Sequence, residues 1–492
     1  MGKEAATTTT TKKRAAHVVL LASPGTGHLL PVAELARRIV AHGGGAVVTF
    51  TNFSSPADLY STLASLPPSV STATRIFTVV KRALPQLRDL LRSLLESPPP
   101  SGVAAFVADL LSPWALHVAV ELGVPRYLFC TTNLMALSCM LHVPELDRTT
   151  TCEFRHLPEP VHLPGCVVPL RGADLLDPIQ NRGDPAYRLM VELGENHRLA
   201  QGFIVNTFDA MEHETLVAFK ALSDKGVYPP AYAVGPFVRP CSGSGSAAGD
   251  DEGDEHGCVR WLDEQPDASV LYVCLGSGGT LSNKQTTELA AGLEASGQRF
   301  LMVVRFPSDK DCSASYFGTA AEHGDDDPLR YLPAGFLERT RGVGLCVPLW
   351  APQVEILSHR AVGGFLSHCG WNSTLEAVAA GVPTLAWPLY AEQRMNAVML
   401  SERAGVALRP SKGGGIGDGD DGVVPREEVA AVARELIAGE KEGAAAREKA
   451  RELQKTAAKA WAPADGPSRR AFEAVVAKWK EPDELPFGSL LG

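Results

Sequence analysis

Residues 363–393, GGFLSHCGWNSTLEAVAAGVPTLAWPLYAEQ, crowd His368, Cys369, Trp371, Asn372, Ser373 and Glu376 into nine positions between two apolar runs. The first run reads as a strand ending near His368, and Asn372 or Ser373 as the cap of the helix that follows. A helix start offers free N–H donors and a partial positive charge, which suits a phosphate. Glu376 lies four residues past Asn372 and shares its face, so its carboxylate suits sugar hydroxyls farther along the ligand. The group reads as a phosphate-plus-sugar site. The plainer alternative is a capped core helix with His368 bonded internally.

Eighteen residues before His368 stands WAPQ, after another apolar run. Trp350 there offers a face for a flat base and Gln353 a two-pronged hydrogen bonder; a core Trp is the alternative. Glu392 and Gln393 follow the next strand and suit the hydroxyls of a hexose, or the Glu simply complements a helix dipole. LGSGGT (275–280) is a Gly-rich turn whose Ser277 could donate to a phosphate. Near the N-terminus, SPGTGHLLP sets His28 at a strand–helix turn. Asp109 ends the run AAFVAD and is the only Asp, Glu, Lys or Arg between Ser97 and Glu121. A lone carboxylate at a buried strand end needs a partner. An imidazolium is a natural one, and an Asp–His pair makes His28 a candidate general base.

Strand ends must hold these residues. HVVLLASPGTGHLLPVAELARRIVAHGGGAVVTF reads strand, turn, helix, strand, with Pro31 in the first helical turn. VAAFVADLL, RYLFCTT and GFIVNTF continue that sheet. After the small, acidic stretch CSGSGSAAGDDEGDEHG the pattern restarts with SVLYVCLGSGG, RFLMVV, GVGLCVPLW, GGFLSHCG and VPTLAWPL. The acidic stretch, with His256, reads as a solvated linker rather than a metal site. Segment 425–457 reads as helical, as does 467–479. The expected organisation is an N-terminal domain (1–240), a linker (241–257), a second domain (258–460), and a C-terminal helix and tail (461–492) packing back on the first. Both domains are doubly wound parallel α/β sheets, and ligands of such sheets bind at the carboxyl ends of the strands.

The 492 residues are 45% hydrophobic and 21% charged, with a net charge of −10 and no Lys/Arg-rich run, which argues against nucleic acid as a partner. Ten scattered cysteines contain no C-x-x-C pair, which suits a reducing compartment. Neither a signal peptide, a myristoylation signal nor an 18-residue apolar run is present, so a cytoplasmic protein without a membrane span is expected. A dinucleotide fingerprint would need an acidic residue about 20 positions after its glycines. None occurs between Glu34 and Asp58, which disfavours a nicotinamide-dependent oxidoreductase on the same sheet type.

Taken together, these motifs resemble the plant family 1 UDP-sugar glycosyltransferases. Trp350 to Gln393 matches that family's 44-residue signature along its length, and the likeness extends through LPGC, VNTF, VGP, WLDEQP, GSGGTLS and LPAGFLERT. The sequence is most similar to the subgroup that glucosylates hydroquinone and other small phenols. The resemblance implies a GT-B fold, two Rossmann-like domains facing across a cleft. It implies that Trp350 stacks on uracil with the Ala351 backbone reading its edge, and that Gln353 and Glu376 hold the ribose. Ser277, His368, Asn372 and Ser373 would bind the diphosphate. Trp371, Glu392 and Gln393 would meet the sugar, with Gln393 favouring glucose. His28 would be the general base and Asp109 its partner. The co-substrate would be UDP-glucose, with no resident cofactor or metal. The acceptor would be a small phenol, lined by residues such as Trp114, Phe129, Leu134 and Tyr390, and the chain a monomer. One departure stands out: around residues 72–85 some 15–20 residues of the family pattern are absent, on the acceptor side. A non-catalytic nucleotide-sugar binder is the remaining alternative.

Overall fold

Six short apolar runs of the first half form one parallel sheet: β1 (His17–Ala22), β2 (Val47–Asn52), β3 (Ala105–Asp109), β4 (Arg126–Cys130), β5 (Phe203–Val205) and β6 (Ala231–Ala233), in the order β2-β1-β3-β4-β5-β6. Six more form a second: β7 (Val270–Cys274), β8 (Arg299–Val304), β9 (Gly344–Pro348), β10 (Val362–Ser367), β11 (Thr384–Ala386) and β12 (Ala407–Leu408), in the order β12-β11-β10-β7-β8-β9. The structure is a computed structural model and describes residues 16–52, 56–67, 70–96, 102–238, 254–317, 326–411 and 422–480. Most of the acidic stretch and the end of the C-terminal tail lie outside the described residues.

The central strands β1, β3, β7 and β10 are buried on both faces, so they carry unbroken apolar runs instead of alternation. Parallel pairing aligns their carboxyl ends: Leu21 lies beside Ala108, Phe129 beside Asp109, and Ser367 beside both Cys274 and Ala386. The turns leaving these ends gather along one cleft between the sheets.

Three local features differ from the sequence reading. The helix holding Pro31 begins earlier, at Thr26, which makes Pro31 its sixth residue. Segment 425–457 is two helices, Arg426–Ala438 and Glu442–Lys459, broken at Gly439. The short strands β6 and β12 add one edge to each sheet.

The helix Pro467–Lys478 returns to the first sheet. Phe472, Val475 and Val476 join Val18, Leu20 and Phe129 in one cluster, and the Trp461 indole N–H donates to the Val234 carbonyl at 2.7 Å. The two halves also share apolar packing. One continuous cluster runs from Val19, Phe106 and Leu128 through Leu137 and Phe208 to Trp371, Leu375, Met395 and Leu400.

Candidate active site

Gly25 takes φ 107° and starts the helix Thr26–His42, so His28 falls in its first turn. A side chain at Gly25 would be strained there and would collide with the Tyr316 ring. Asp109 closes β3, the strand paired directly with β1, and the two side chains meet: His28 Nδ1 lies 3.0 Å from Asp109 Oδ2. The Thr131 hydroxyl is 3.1 Å from the same nitrogen, and Asp109 Oδ1 accepts the Leu111 N–H at 2.9 Å. Asp109 is fully buried, while the His28 side chain keeps 18% of its exposure. Nδ1 is therefore committed, and Nε2 is the nitrogen left for the cleft. Burial works against protonated His28. The Asp109 charge and hydrogen bond, with Glu392 from the second half, outweigh it and hold the His28 pKa above the usual value.

The other half of the site is built from the turns after β9, β10 and β11. Among the described residues four non-glycines have positive φ, and three stand in these turns: Leu349 (61°), Cys369 (63°) and Ala391 (57°). Such backbone costs energy and is kept where the surroundings enforce it. Leu349 turns the chain so that Trp350 stands 57% exposed, its ring uncovered, while Ala351 beside it is buried. Gln353 Nε2 donates to Ser373 Oγ at 2.9 Å and to Glu376 at 2.6 Å, tying three of the signature residues together.

His368 is buried between two glycine turns; a Cβ on either Gly276 or Gly370 would collide with its Nε2. Burial, with nearby Arg305 adding to it, pushes the His368 pKa down to about 4, so the ring is neutral near pH 7. The helix after it spans Trp371–Ala380. Its N-cap is Gly370 and no side chain caps it. This corrects the expectation that Asn372 or Ser373 caps the helix: both lie inside the first turn, because the positive φ at Cys369 begins the turn two residues early. The helix start is thereby left open for a ligand.

Asn372 reaches across the cleft, donating from Nδ2 to the Gly27 carbonyl at 2.8 Å. That carbonyl is free because its intrahelical donor would be residue 31, and Pro31 has no N–H. Beside it the Thr26 hydroxyl donates to Ser277 Oγ at 3.0 Å, and the Thr132 hydroxyl reaches Glu392 at 3.3 Å.

Of the catalytic and nucleotide-sugar candidates named from the sequence, all border one cavity of about 840 Å³ except Asp109, which stands behind His28. Two of them present less than their side chains suggest. Trp371 is buried, with its indole N–H donated to the Asn206 carbonyl at 2.6 Å. Gln393 Oε1 accepts the N–H groups of Leu389 and Tyr390, leaving its Nε2 as the donor toward the cavity.

The expected acceptor lining is largely corrected. Tyr390 borders the cavity, but Trp114, Phe129 and Leu134 are core residues. Strand alternation turns Phe129 to the far face, where it stacks on Phe237, and Trp114 packs behind Phe77. The apolar wall is instead Ile76, Phe77, Leu111, Met140, Leu176 and Met190. Ile76 and Phe77 belong to the helix Thr72–Arg82, within the segment where the sequence departs from the family pattern. Thr131, Arg305 and Tyr316 also escaped the sequence reading; the Tyr316 hydroxyl donates to the Pro24 carbonyl at 2.9 Å and covers the turn before His28.

A sequence profile described as "UDP-glucoronosyl and UDP-glucosyl transferase" matches residues 250–412. The chain is 46% identical to UDP-glycosyltransferase 72B1 of Arabidopsis thaliana, covering 94% of this chain and 96% of that protein. It belongs to the UDP-glycosyltransferases. It is also 43% identical to hydroquinone glucosyltransferase of Rauvolfia serpentina over 94% of this chain and 98% of that one. Among solved structures, this glycosyltransferase superposes on a UDP-glucosyltransferase from Polygonum tinctorium capable of glucosylating indoxyl, with a TM-score of 0.81, 40% identity, and 96% and 100% of the two chains covered. UGT2 of Phytolacca americana, solved with UDP-2-fluoro-glucose and pterostilbene, superposes at 0.78 with 38% identity over 95% and 99%. The fold is thus GT-B, and no helix among the described residues is long and apolar enough to cross a membrane.

Proposed function

We propose that this transferase moves glucose from UDP-glucose to the hydroxyl of a small phenol, inverting the anomeric centre to give a β-glucoside. The observation that carries the reading is the His28–Asp109 pair, 3.0 Å apart, opening on the same cavity that Trp350, His368 and Glu392 border. The apolar wall of Ile76, Phe77, Met140 and Met190 suits a flat, weakly polar acceptor. The relatives named for hydroquinone and indoxyl fit that class.

A phenol has a pKa of about 10 and is mostly neutral at pH 7. His28 Nε2 takes the hydroxyl proton as the oxygen forms its bond to the anomeric carbon, and the carbon–oxygen bond to UDP breaks on the opposite face. Asp109 stabilises the imidazolium that forms. UDP leaves with the added negative charge, held against the open helix start at Trp371 and the donors Asn372, Ser373 and Ser277. Neutral His368 contributes a hydrogen bond rather than charge. Trp350 stacks on uracil, while Gln353 and Glu376 take the ribose. Glu392 and the Gln393 amide hold the glucose. No step runs through a metal or a resident cofactor. Nine cysteines among the described residues, all free, suit the cytosol.

The test is incubation with UDP-glucose and hydroquinone, followed by mass spectrometry and proton NMR. A single hexose added with a β anomeric coupling is expected. An α-linked product, or no product with any member of a panel of phenols, overturns the proposal.

A further inference from the structure

Strand β8 ends at Val304, whose carbonyl accepts the Leu349 N–H at 2.8 Å. The next residue, Arg305, therefore stands between the turn after β7 and the turn that carries Trp350. It borders the cavity together with Cys274, Gly276, Leu349 and His368. Its Nε is buried without a hydrogen-bond partner, and the acidic groups beside it are the Cys274 thiol and the Tyr390 and Tyr272 phenols, none of them a carboxylate. A largely buried guanidinium without an anion is costly, so its retention points to an anion that arrives with a ligand.

The other groups at the site leave that place open. Arg155 also borders the cavity, but it donates to the Gln180 carbonyl on the acceptor side. Lys310 is exposed at the rim. His368, beside Arg305, is neutral near pH 7, since its pKa lies at about 4. The helix start at Trp371 supplies only a partial charge. A diphosphate seated there would otherwise meet no full positive charge from this half of the site.

We propose that Arg305 is a substrate-binding residue that pairs with the diphosphate of the nucleotide sugar and supplies the full positive charge this half of the site otherwise lacks. The assignment rests on the donor site described under the proposed function. As the sugar departs and the diphosphate gains charge, the pairing strengthens, so Arg305 assists leaving-group departure as well as binding. Its planar fork suits two phosphate oxygens at once, which an ammonium cannot match.

The experiment is calorimetric titration of the full-length wild type, R305M and R305K with UDP and, separately, with uridine. Charge-assisted hydrogen bonds of this kind predict that R305M weakens UDP roughly ten- to hundredfold. R305K should recover part of that loss. Uridine affinity should stay unchanged in both variants, which also reports an intact nucleoside site. Added salt should weaken UDP binding to the wild type more than to R305M. UDP affinity within twofold of wild type in R305M overturns the assignment. Equal weakening of UDP and uridine overturns it too, since that marks a packing role. A wild type that binds neither ligand removes the donor-site reading and this inference together.

Discussion

Replacing Asp109 with Asn changes one atom in a fully buried position and tests the base directly. In the wild type Oδ1 accepts the Leu111 N–H and Oδ2 faces His28 Nδ1. An Asn keeps the first contact through its own oxygen, which places its NH₂ toward Nδ1. Donor then faces donor, and the imidazole relieves this by moving its proton to Nε2. The nitrogen facing the cleft loses the lone pair that would take the acceptor's proton. The whole contribution of general base catalysis, roughly 10²–10⁴-fold, should disappear from kcat. The pH profile should move as well. In the wild type Asp109 and Glu392 outweigh burial and raise the His28 pKa, so the acid limb of kcat/KM lies above the usual histidine value. Without the Asp109 charge, burial dominates and the limb shifts to lower pH, beneath a much lower plateau. The assay is the pH dependence of UDP-glucose turnover with hydroquinone, beside a UDP titration, which should be unchanged. A D109N enzyme within threefold of wild type, or a limb that stays in place, refutes the pairing as the source of catalysis.

Two further substitutions test the donor half. Trp350→Ala removes a ring already 57% exposed, so thermal stability should hold. UDP binding should weaken by roughly five- to hundredfold, the usual worth of one base–aromatic stack, as read by calorimetry. Gly276→Ala places a Cβ against His368 Nε2 at a φ of 74°. UDP affinity should fall by about tenfold or more with the far-ultraviolet circular dichroism preserved, because strain and a displaced imidazole both act at the diphosphate.

The cavity-lining residues from Trp350 to Gln393 were legible because they lie in one run of chain crossing three successive strand ends, where apolar strand, turn and helix are plain in the sequence. Asp109 was legible as the one carboxylate in a long uncharged stretch. The acceptor wall was not. Phe129 lies on a strand, and which face a strand residue takes depends on register, which comes from packing, while Leu134 opens the helix Leu134–Thr149 and is buried in the core. Tyr316 covers the turn before His28 from a segment almost 300 positions away, so no local pattern announces it. Arg305 did leave a signal, a charge directly after the apolar run RFLMVV, the same signal that exposed Asp109. Strands β6 and β12, of three and two residues, are too short to show a period.

The cluster that joins Val19 and Phe106 to Trp371 and Met395 has a consequence for recombination. A chimera that takes its acceptor half from one relative and its donor half from another must match more than two active-site walls. It must also match the apolar seam and the Asn206–Trp371 and Gly27–Asn372 contacts across it. Crossovers placed in the segment between the two sheets cut no element of either sheet, but they divide this shared interior. Functional hybrids should therefore come from parents that agree at the seam, whatever their overall identity, and acceptor range is more safely transplanted by exchanging the helix Thr72–Arg82 than by exchanging the half that contains it.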